Sequence, residues 1–462
     1  MPHVAGPEYD RSAVTTGVVH FGVGGFHRAH QAMYHDRLMN AGHAIDWGIC
    51  GVGVLPGDRR MQAALAAQDG LYTLVAKHAD GTYEPRVIGS ITEYLFAPDD
   101  PEAVVEKLAA PATRIVSLTI TEGGYGIDPV TGEFAGVGDG LTAFSLITDA
   151  LQRRRDRGLR PFTVMSCDNL QGNGDLSRRA FTAYARRRDP ELGEWVEREV
   201  RFPNSMVDRI TPVTTDADRA ELRERFGVED RWPVVCEPFA QWVLEDDFTL
   251  GRPPYEQAGV QVVVDVEPYE LMKLRLLNGG HQALGYFAYL AGHRLVHEAA
   301  RDPRLRAFVR AYLDEEATPT LEPVPGVDLG DYKRTLLERF SNPEVRDTIA
   351  RLCAESSDRI PKFVLPAIRR QLELGGPVRR GAAVIAAWTR YCEGVDEQGE
   401  PIEVVDRLAD ELTARARRSR EDPDAFIANR ELFGDLADQE PFARAYRAAL
   451  RSLHERGARA TL

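Results

Sequence analysis

Short β-rich runs alternate with helix-like stretches along the first half of the chain, and strand-like runs nearly vanish after about residue 265. Gly17-Val-Val-His-Phe21 is a first strand, followed by a glycine turn and a helical stretch from Gln31 to Met39. Trp47–Val54, Arg86–Ser90 and Arg114–Thr121 read as further strands. The last is β-branched and uncharged after Arg114, as a central parallel strand is. Helices are expected near 102–109 and 141–157, then a buried strand through Pro161–Cys167 and an amphipathic helix over 176–199. Short strand pieces at Val234–Glu237, Trp242–Phe248 and Val260–Val266 end this part. Beyond Glu267, apolar residues recur at helical spacing over 268–315, 331–353, 362–374, 380–393 and 403–419, with Glu316–Leu329 as an internal loop. The pattern predicts an α/β domain over 1–265 and a mostly α-helical domain over 266–462.

Polar residues concentrate where the predicted strands end. The first strand enters Gly22-Val-Gly24-Gly25-Phe26-His27-Arg28. Strand, glycine turn and helix bring backbone N–H groups and a helix N-terminus to a pyrophosphate, so Gly22, Gly24, Gly25 and Phe26 are candidate dinucleotide-binding residues. The match to G-x-G-x-x-G is partial, because His27 holds the third position. The same residues also read as a tight strand-to-helix turn. Asp58, just past the second strand, is the candidate reader of a ribose hydroxyl pair, although Arg59 and Arg60 beside it suit a 2′-phosphate. The strand 114–121 ends in Thr121-Glu122-Gly-Gly-Tyr125, at the carboxyl edge where open α/β sheets bind ligands. The strand after it ends in Asp168-Asn169, and Asn169 either orients a substrate oxygen or makes an Asx turn. Together these features suit a dinucleotide-binding α/β domain.

Glu270-Leu-Met-Lys273-Leu-Arg-Leu-Leu-Asn278-Gly-Gly-His281 places four polar groups in an otherwise apolar stretch. On a straight α-helix, with Lys273 at 0°, Glu270 falls at about 60°, His281 at about 80° and Asn278 at about 140°. All share one side with Leu274 and Leu277. Lys273 and His281 would stand about 12 Å apart along the axis. The segment is either a core helix whose lysine snorkels or a catalytic face.

Composition narrows the classes. At 462 residues the chain is too long for one ordinary core, and two domains are expected. The net charge of −14 disfavours nucleic acid or an anionic membrane as partner. No apolar run approaches a membrane span, and Met1-Pro-His-Val-Ala lacks the features of a signal peptide. Five dispersed cysteines without a C-x-x-C pair fit a reduced, cytoplasmic enzyme. His27 and His30, with His35 nearby, have helical metal-ligand spacing, but no third soft ligand accompanies them, so no metal is expected.

Six blocks in order carry a family resemblance. They are His20-Phe-Gly-Val-Gly-Gly-Phe-His-Arg-Ala-His-Gln, Ser117-Leu-Thr-Ile-Thr-Glu-Gly-Gly-Tyr, Thr163-Val-Met-Ser-Cys-Asp-Asn-Leu, Phe202-Pro-Asn-Ser-Met-Val-Asp-Arg-Ile-Thr-Pro, Val235-Cys-Glu-Pro-Phe and Lys273-x4-Asn278-x2-His281. The chain resembles the polyol-specific long-chain dehydrogenases from about residue 17 almost to its C-terminus. The resemblance implies a Rossmann-type N-terminal domain followed by a mostly α-helical C-terminal domain, and metal-independent, reversible NAD-dependent oxidation of a polyol to a ketose, D-mannitol to D-fructose being the pair it points to. It implies Lys273 as general acid–base, Asn169 and Asn278 as an oxyanion pocket, His281 as a substrate-positioning group and Glu270 as a proton relay. Asp208, Arg351 and Arg359 match substrate-contacting positions. Arg359 departs from the lysine usual there, which keeps charge but changes donor geometry. Gly57-Asp58 replaces the two acids usual after the second strand, so some tolerance of NADP is expected beside NAD. A monomer or weak oligomer is the family-level expectation.

A free lysine has a pKa of about 10.4, so Lys273 serves as a base near neutrality only if burial or nearby positive charge depresses it. Other readings stay open. A hexuronate or fructuronate reductase would use Arg351 or Arg359 for the substrate carboxylate, and arabinitol or sorbitol dehydrogenases share the core pattern. A non-catalytic dinucleotide-binding sensor would keep the fold without turnover.

Overall fold

The computed structural model describes residues 4–128, 132–138 and 140–462; Met1-Pro2-His3, part of the stretch read for a leader, lies outside them. The chain divides into two compact units, Met1–Glu267 and Pro268–Leu462. Unit 1 carries strands β1 (Thr16–Phe21), β2 (Gly48–Gly53), β3 (Tyr72–Lys77), β4 (Tyr83–Ile88), β5 (Ile91–Phe96), β6 (Ile115–Leu118), β7 (Thr163–Ser166), β8 (Ser205–Asp208), β9 (Val234–Cys236), β10 (Gln241–Glu245) and β11 (Gln261–Val263).

Its centre is a parallel sheet in the order β5-β2-β1-β6-β7. Successive side chains alternate between two apolar layers. Val18, Ile49, Ile115 and Met165 face the layer that holds the helix Gln31–Asn40. Val19, Phe21, Cys50, Val52, Val116, Leu118 and Val164 face the layer of Pro101–Ala109, Ala143–Asp156 and Asn173–Arg188. Because both faces are covered, these strands read as continuous apolar runs. The chain order reverses between β1 and β6, which makes that junction the switch point where open sheets take ligands. Two smaller sheets, β11-β10-β8 and β4-β3-β9, complete the unit.

Several elements differ from the sequence expectation. β3 and β5 lie outside the segments that the apolar pattern marks. The expected helix over 176–199 is two, Asn173–Arg188 and Pro190–Glu199. Asp189 caps the second through the Glu191 N–H, and Pro190 cannot continue the first because it lacks an amide donor. β6 stops at Leu118, three residues early, because a side chain captures the amides of Ile120 and Thr121.

Buried histidines belong to the core of unit 1. His20 reaches Ser117 Oγ (2.8 Å) and Thr119 Oγ1 (3.1 Å), and its ring stacks on His27 at 3.5 Å. His35 lies between the Trp47 carbonyl (2.8 Å) and the Tyr255 hydroxyl (3.0 Å), and His30 lies 3.0 Å from the Gln241 carbonyl. The metal-like spacing of His27, His30 and His35 is thus divided among separate core contacts. Among the described residues, no group of three His, Cys, Asp or Glu side chains could hold a metal ion.

Unit 2 is helical. Its core helix Arg379–Cys392 is buried from Gly381 to Thr389 and packs on Glu440–Arg456, a helix beyond the last segment that the pattern marks. Glu316 is buried and accepts the Arg380 (2.6 Å) and Gly381 (2.8 Å) N–H groups, closing that helix's N-terminus. Among the described residues, no helix is long and apolar enough to cross a membrane.

Two outcomes are expected. A Cβ at Gly22 (φ +90°) would stand 2.1 Å from the Thr119 carbonyl oxygen, whereas one at Gly24 would meet nothing nearer than 3.8 Å. In chemical denaturation Gly22→Ala should cost about 2 kcal/mol or more and Gly24→Ala less than about 0.5 kcal/mol. Equal losses would contradict this account of the turn. Burial pushes the pKa of His20 down to about 3, of His35 to about 4, and of His27 well below its usual value. In the unfolded chain these groups bind protons below about pH 6.5, while the folded chain refuses them until far lower pH. Stability should therefore fall from about pH 6.5 downward, by up to about 4 kcal/mol per pH unit if all three contribute. A urea midpoint constant between about pH 7 and about pH 5 would refute this.

Candidate functional site

The helix that opens unit 2 is not a regular α-helix. Glu267–Met272 is α-helical, Lys273–Asn278 forms a π-helical turn, and Gly279–Leu290 resumes the α-helix. The Gly279 N–H bonds the Leu274 carbonyl, five residues back. One extra residue in the turn rotates everything after it back by about 100° relative to a straight helix. Asn278 then falls at about 40° from Lys273 and His281 at about −20°, and the Lys273–His281 axial gap shrinks to about 10.5 Å. This corrects the straight-helix expectation. The lysine, amide and imidazole occupy a narrower arc than the sequence spacing alone gives, with Glu270 beside it at about 60°.

Glu270, Lys273 and His281 are buried, and Asn278 is half-buried. His281 stacks on Phe340 at 4.1 Å, which fixes its ring plane. One end of the Asn278 amide, Oδ1, is buried without a hydrogen-bond partner. A buried amide end left unmet costs about 1–3 kcal/mol, and such groups persist where a ligand completes them. At Gly279 an added Cβ would lie 3.2 Å from both the Phe363 carbonyl and the Tyr312 hydroxyl, so glycine lets the bulged helix come close to its neighbours.

Arg351 grips Asp347 through two hydrogen bonds, Nε to Oδ1 at 2.6 Å and Nη2 to Oδ2. Burial pushes the Asp347 carboxyl up, but Arg351 overrides it and holds the group below the usual range, with a contribution from His281. Arg359 Nη1 donates to the carbonyls of Arg351 (2.6 Å) and Leu352 (3.2 Å). Burial, and then the charge of Arg351, hold Arg359 below its usual pKa. Asp347, which the sequence offered no reason to select, thus pairs with Arg351 within electrostatic reach of His281.

In unit 1 the predicted residues gather at the carboxyl edge of the parallel sheet. Gly22, Gly24, Gly25 and Phe26 follow β1, Asp58 follows β2, Thr121 and Glu122 follow β6, and Asn169 follows β7. Asp58 Oδ2 accepts the N–H groups of Val54 and Leu55, both at 2.9 Å, and so closes the turn after β2. Arg59 pairs with Asp99 (3.0 Å) and lies over the Phe96 ring, and Arg60 lies over Trp232. Asp208 is buried at the end of β8, outside the parallel sheet.

Asp168, one residue before Asn169, has no role in the sequence reading. Its buried carboxylate accepts the N–H of Ile120 (3.1 Å) and Thr121 (2.8 Å) and the Tyr125 hydroxyl (2.7 Å). The signal that could have found it is an acid closing an otherwise uncharged strand.

The turn after β1 fits a dinucleotide. Gly24 has no atom crowding its missing Cβ, and the turn stands at the switch point of the sheet.

Residues 16–257 match the family model described as the mannitol dehydrogenase Rossmann domain, and 265–454 match the mannitol dehydrogenase C-terminal domain. The chain is 49% identical to mannitol 2-dehydrogenase of Phaeosphaeria nodorum, over 100% of this chain and 83% of that protein. It is 48% identical to mannitol 2-dehydrogenase of Aspergillus fumigatus, over 99% and 94%. Among solved structures, the Pseudomonas fluorescens mannitol 2-dehydrogenase ternary complex with NAD and D-mannitol is 46% identical with a TM-score of 0.89, covering 100% of this chain and 96% of that one. A D-sorbitol dehydrogenase in substrate-free form is 38% identical with a TM-score of 0.90, covering 99% and 97%. Matches that span both units, with relatives nearly half identical over the whole chain, show that the chain belongs to the mannitol dehydrogenase family.

Proposed function

We propose that the protein is an NAD-dependent oxidoreductase that interconverts D-mannitol and D-fructose. The observation that carries this reading is the buried lysine on the π turn, with Asn278 and His281 on the same narrow face, in a chain 46% identical throughout to the mannitol 2-dehydrogenase with NAD and D-mannitol. NAD, when bound, supplies the hydride acceptor. Gly22, Gly24, Gly25 and Phe26 would hold its pyrophosphate side, with Thr121 and Glu122 beside them and Asp58 at the ribose.

The chain's own residues then divide the work. Lys273 Nζ takes the hydroxyl proton of the alcohol in oxidation and returns it in reduction. Asn169 and Asn278 donate to the substrate oxygen as negative charge develops on it, which replaces a metal's polarising role. The π turn serves this pairing by bringing Asn278 nearer the lysine's direction. His281, held flat by Phe340, positions substrate hydroxyls together with Asp208 and Arg359, and Glu270 passes the proton from the lysine to solvent. Arg351 already faces the Asp347 carboxylate, so the pair is neutral and favours an uncharged polyol over a hexuronate. Five free, buried cysteines accord with a reducing, cytoplasmic setting.

Lys273→Ala should lower kcat for polyol oxidation by about 100- to 10,000-fold while leaving NADH binding nearly unchanged. Near-normal turnover across the pH range would remove the lysine from this role. A substrate and cofactor panel read by nicotinamide absorbance should show D-fructose favoured over fructuronate by about 100-fold or more in kcat/KM. With Asp58 in place and Arg59 engaged by Asp99, NAD should be favoured over NADP by about tenfold. Preference for fructuronate would instead assign the chain to hexuronate reduction.

A further inference from the structure

Thr121 is the point of strain in unit 1. Its backbone sits at φ 64°, ψ 170°, a region that glycine occupies freely and β-branched residues almost never do. It lies past the end of β6, at the start of the Glu122-Gly-Gly turn and at the carboxyl edge of the sheet. Strain of this kind persists only where the surroundings over-determine it.

The surroundings here are one carboxylate. Asp168 Oδ1 accepts the Thr121 N–H at 2.8 Å, and Oδ2 accepts the Ile120 N–H at 3.1 Å and the Tyr125 hydroxyl at 2.7 Å. The Tyr125 oxygen also lies 2.7 Å from Ser166 Oγ, and Ser166 Oγ accepts the Asp168 N–H at 3.2 Å. From the other side, Asn173 Nδ2 donates to the Asp168 carbonyl (2.9 Å) and to the Ser205 carbonyl (2.8 Å), while the Ser205 N–H returns to Asn173 Oδ1 (2.9 Å). Ser205 Oγ donates to the Ser166 carbonyl at 2.7 Å. The ends of β6 and β7 and the start of β8 are therefore tied through one buried polar network, and Asp168 is its only described carboxylate.

We propose that Asp168 is a positioning residue for the dinucleotide and the substrate oxygen: it holds Thr121 in its strained conformation and, through the adjoining backbone, sets Asn169. The network explains why β6 ends early: the amides that would extend the strand are turned onto the carboxylate. It also explains why a buried, uncharged strand is followed by an acid. The functional half of this proposal rests on the dinucleotide reading above, whereas the geometric half does not.

Asp168→Asn keeps size and shape but replaces one acceptor oxygen with a donor, so it cannot satisfy two amides and a hydroxyl. The variant should keep its circular dichroism and a cooperative melt. Hydrogen exchange of the 119–125 segment in the apo protein should speed by about tenfold or more. NADH titration by fluorescence should show affinity weakened by about tenfold, and kcat for polyol oxidation should fall by about 100-fold. Adding Thr121→Gly should restore part of the NADH affinity, because glycine adopts the same φ and ψ without strain once the carboxylate no longer enforces them; a loss of general stability would not be rescued by that change. If Asp168→Asn does not fold, Tyr125→Phe, which removes one donor and spares the carboxylate, should still speed exchange at 119–125 and weaken NADH by about threefold. Unchanged exchange in the variant tested would overturn the proposal, as would wild-type NADH affinity. Failure of the wild type itself to bind NADH would refute the dinucleotide reading, and exchange alone would then judge whether Asp168 fixes the turn.

Discussion

A parallel sheet buried on both faces leaves its strands almost nowhere to place polar side chains except at their ends, and the arrangement of unit 1 follows from that constraint. Val18, Val19, Phe21, Ile49, Ile115, Val116 and Val164 fill the two layers, each contributing on the order of 1.5–3 kcal/mol by burial. The backbone leaves the ladder at the strand ends, and in open α/β sheets it is the carboxyl edge that takes ligands. There the chain spends its glycines after β1, its acid after β2, its strained threonine after β6 and its asparagine after β7. Within the central strands β1 and β6, His20 and Ser117 lie side by side, with 2.8 Å between His20 Nδ1 and Ser117 Oγ.

In unit 2 the corresponding constraint is a helix with one residue more than its period allows. A π turn has poorer hydrogen-bond geometry than an α turn and survives where neighbours hold it or function requires it. Here it rotates Asn278 and His281 back toward the direction of Lys273. A straight helix would have set the amide well around the cylinder from the lysine. Phe340 against the imidazole ring and Arg351 against Asp347 then hold the rest of this face. The charge of Arg351 is met by a carboxylate partner four residues before it.

Much of this is legible in the sequence. The uncharged strand at 115–118, the glycine turn after β1 and the change from alternation to helical period near residue 265 are local features, set by side-chain chemistry within a few residues. The choice of Lys273, Asn278 and His281 as a set was also legible, because they are polar groups in an apolar stretch. Their relative direction was not, since the extra residue of a π turn leaves no mark in composition. β5 was hidden for a related reason, since its partner β2 lies far back along the chain, and β3 joins the distant β9 as well as its neighbour β4.

Asp168 marks the division most clearly. The sequence by itself determined that an uncharged strand ends in a small polar cluster, that a glycine-rich turn follows β6, and that unit 2 opens on a lysine-bearing helix. Only the tertiary structure decided that the acid reaches across from β7 to the amides after β6, bonds that join residues 47 and 48 positions apart. Local pattern reports what a residue prefers, whereas a buried carboxylate is placed by whichever donors the packed strands bring to it. The backbone at Thr121 follows the same rule: threonine's own preference opposes that conformation, and three long-range hydrogen bonds to one carboxylate override it.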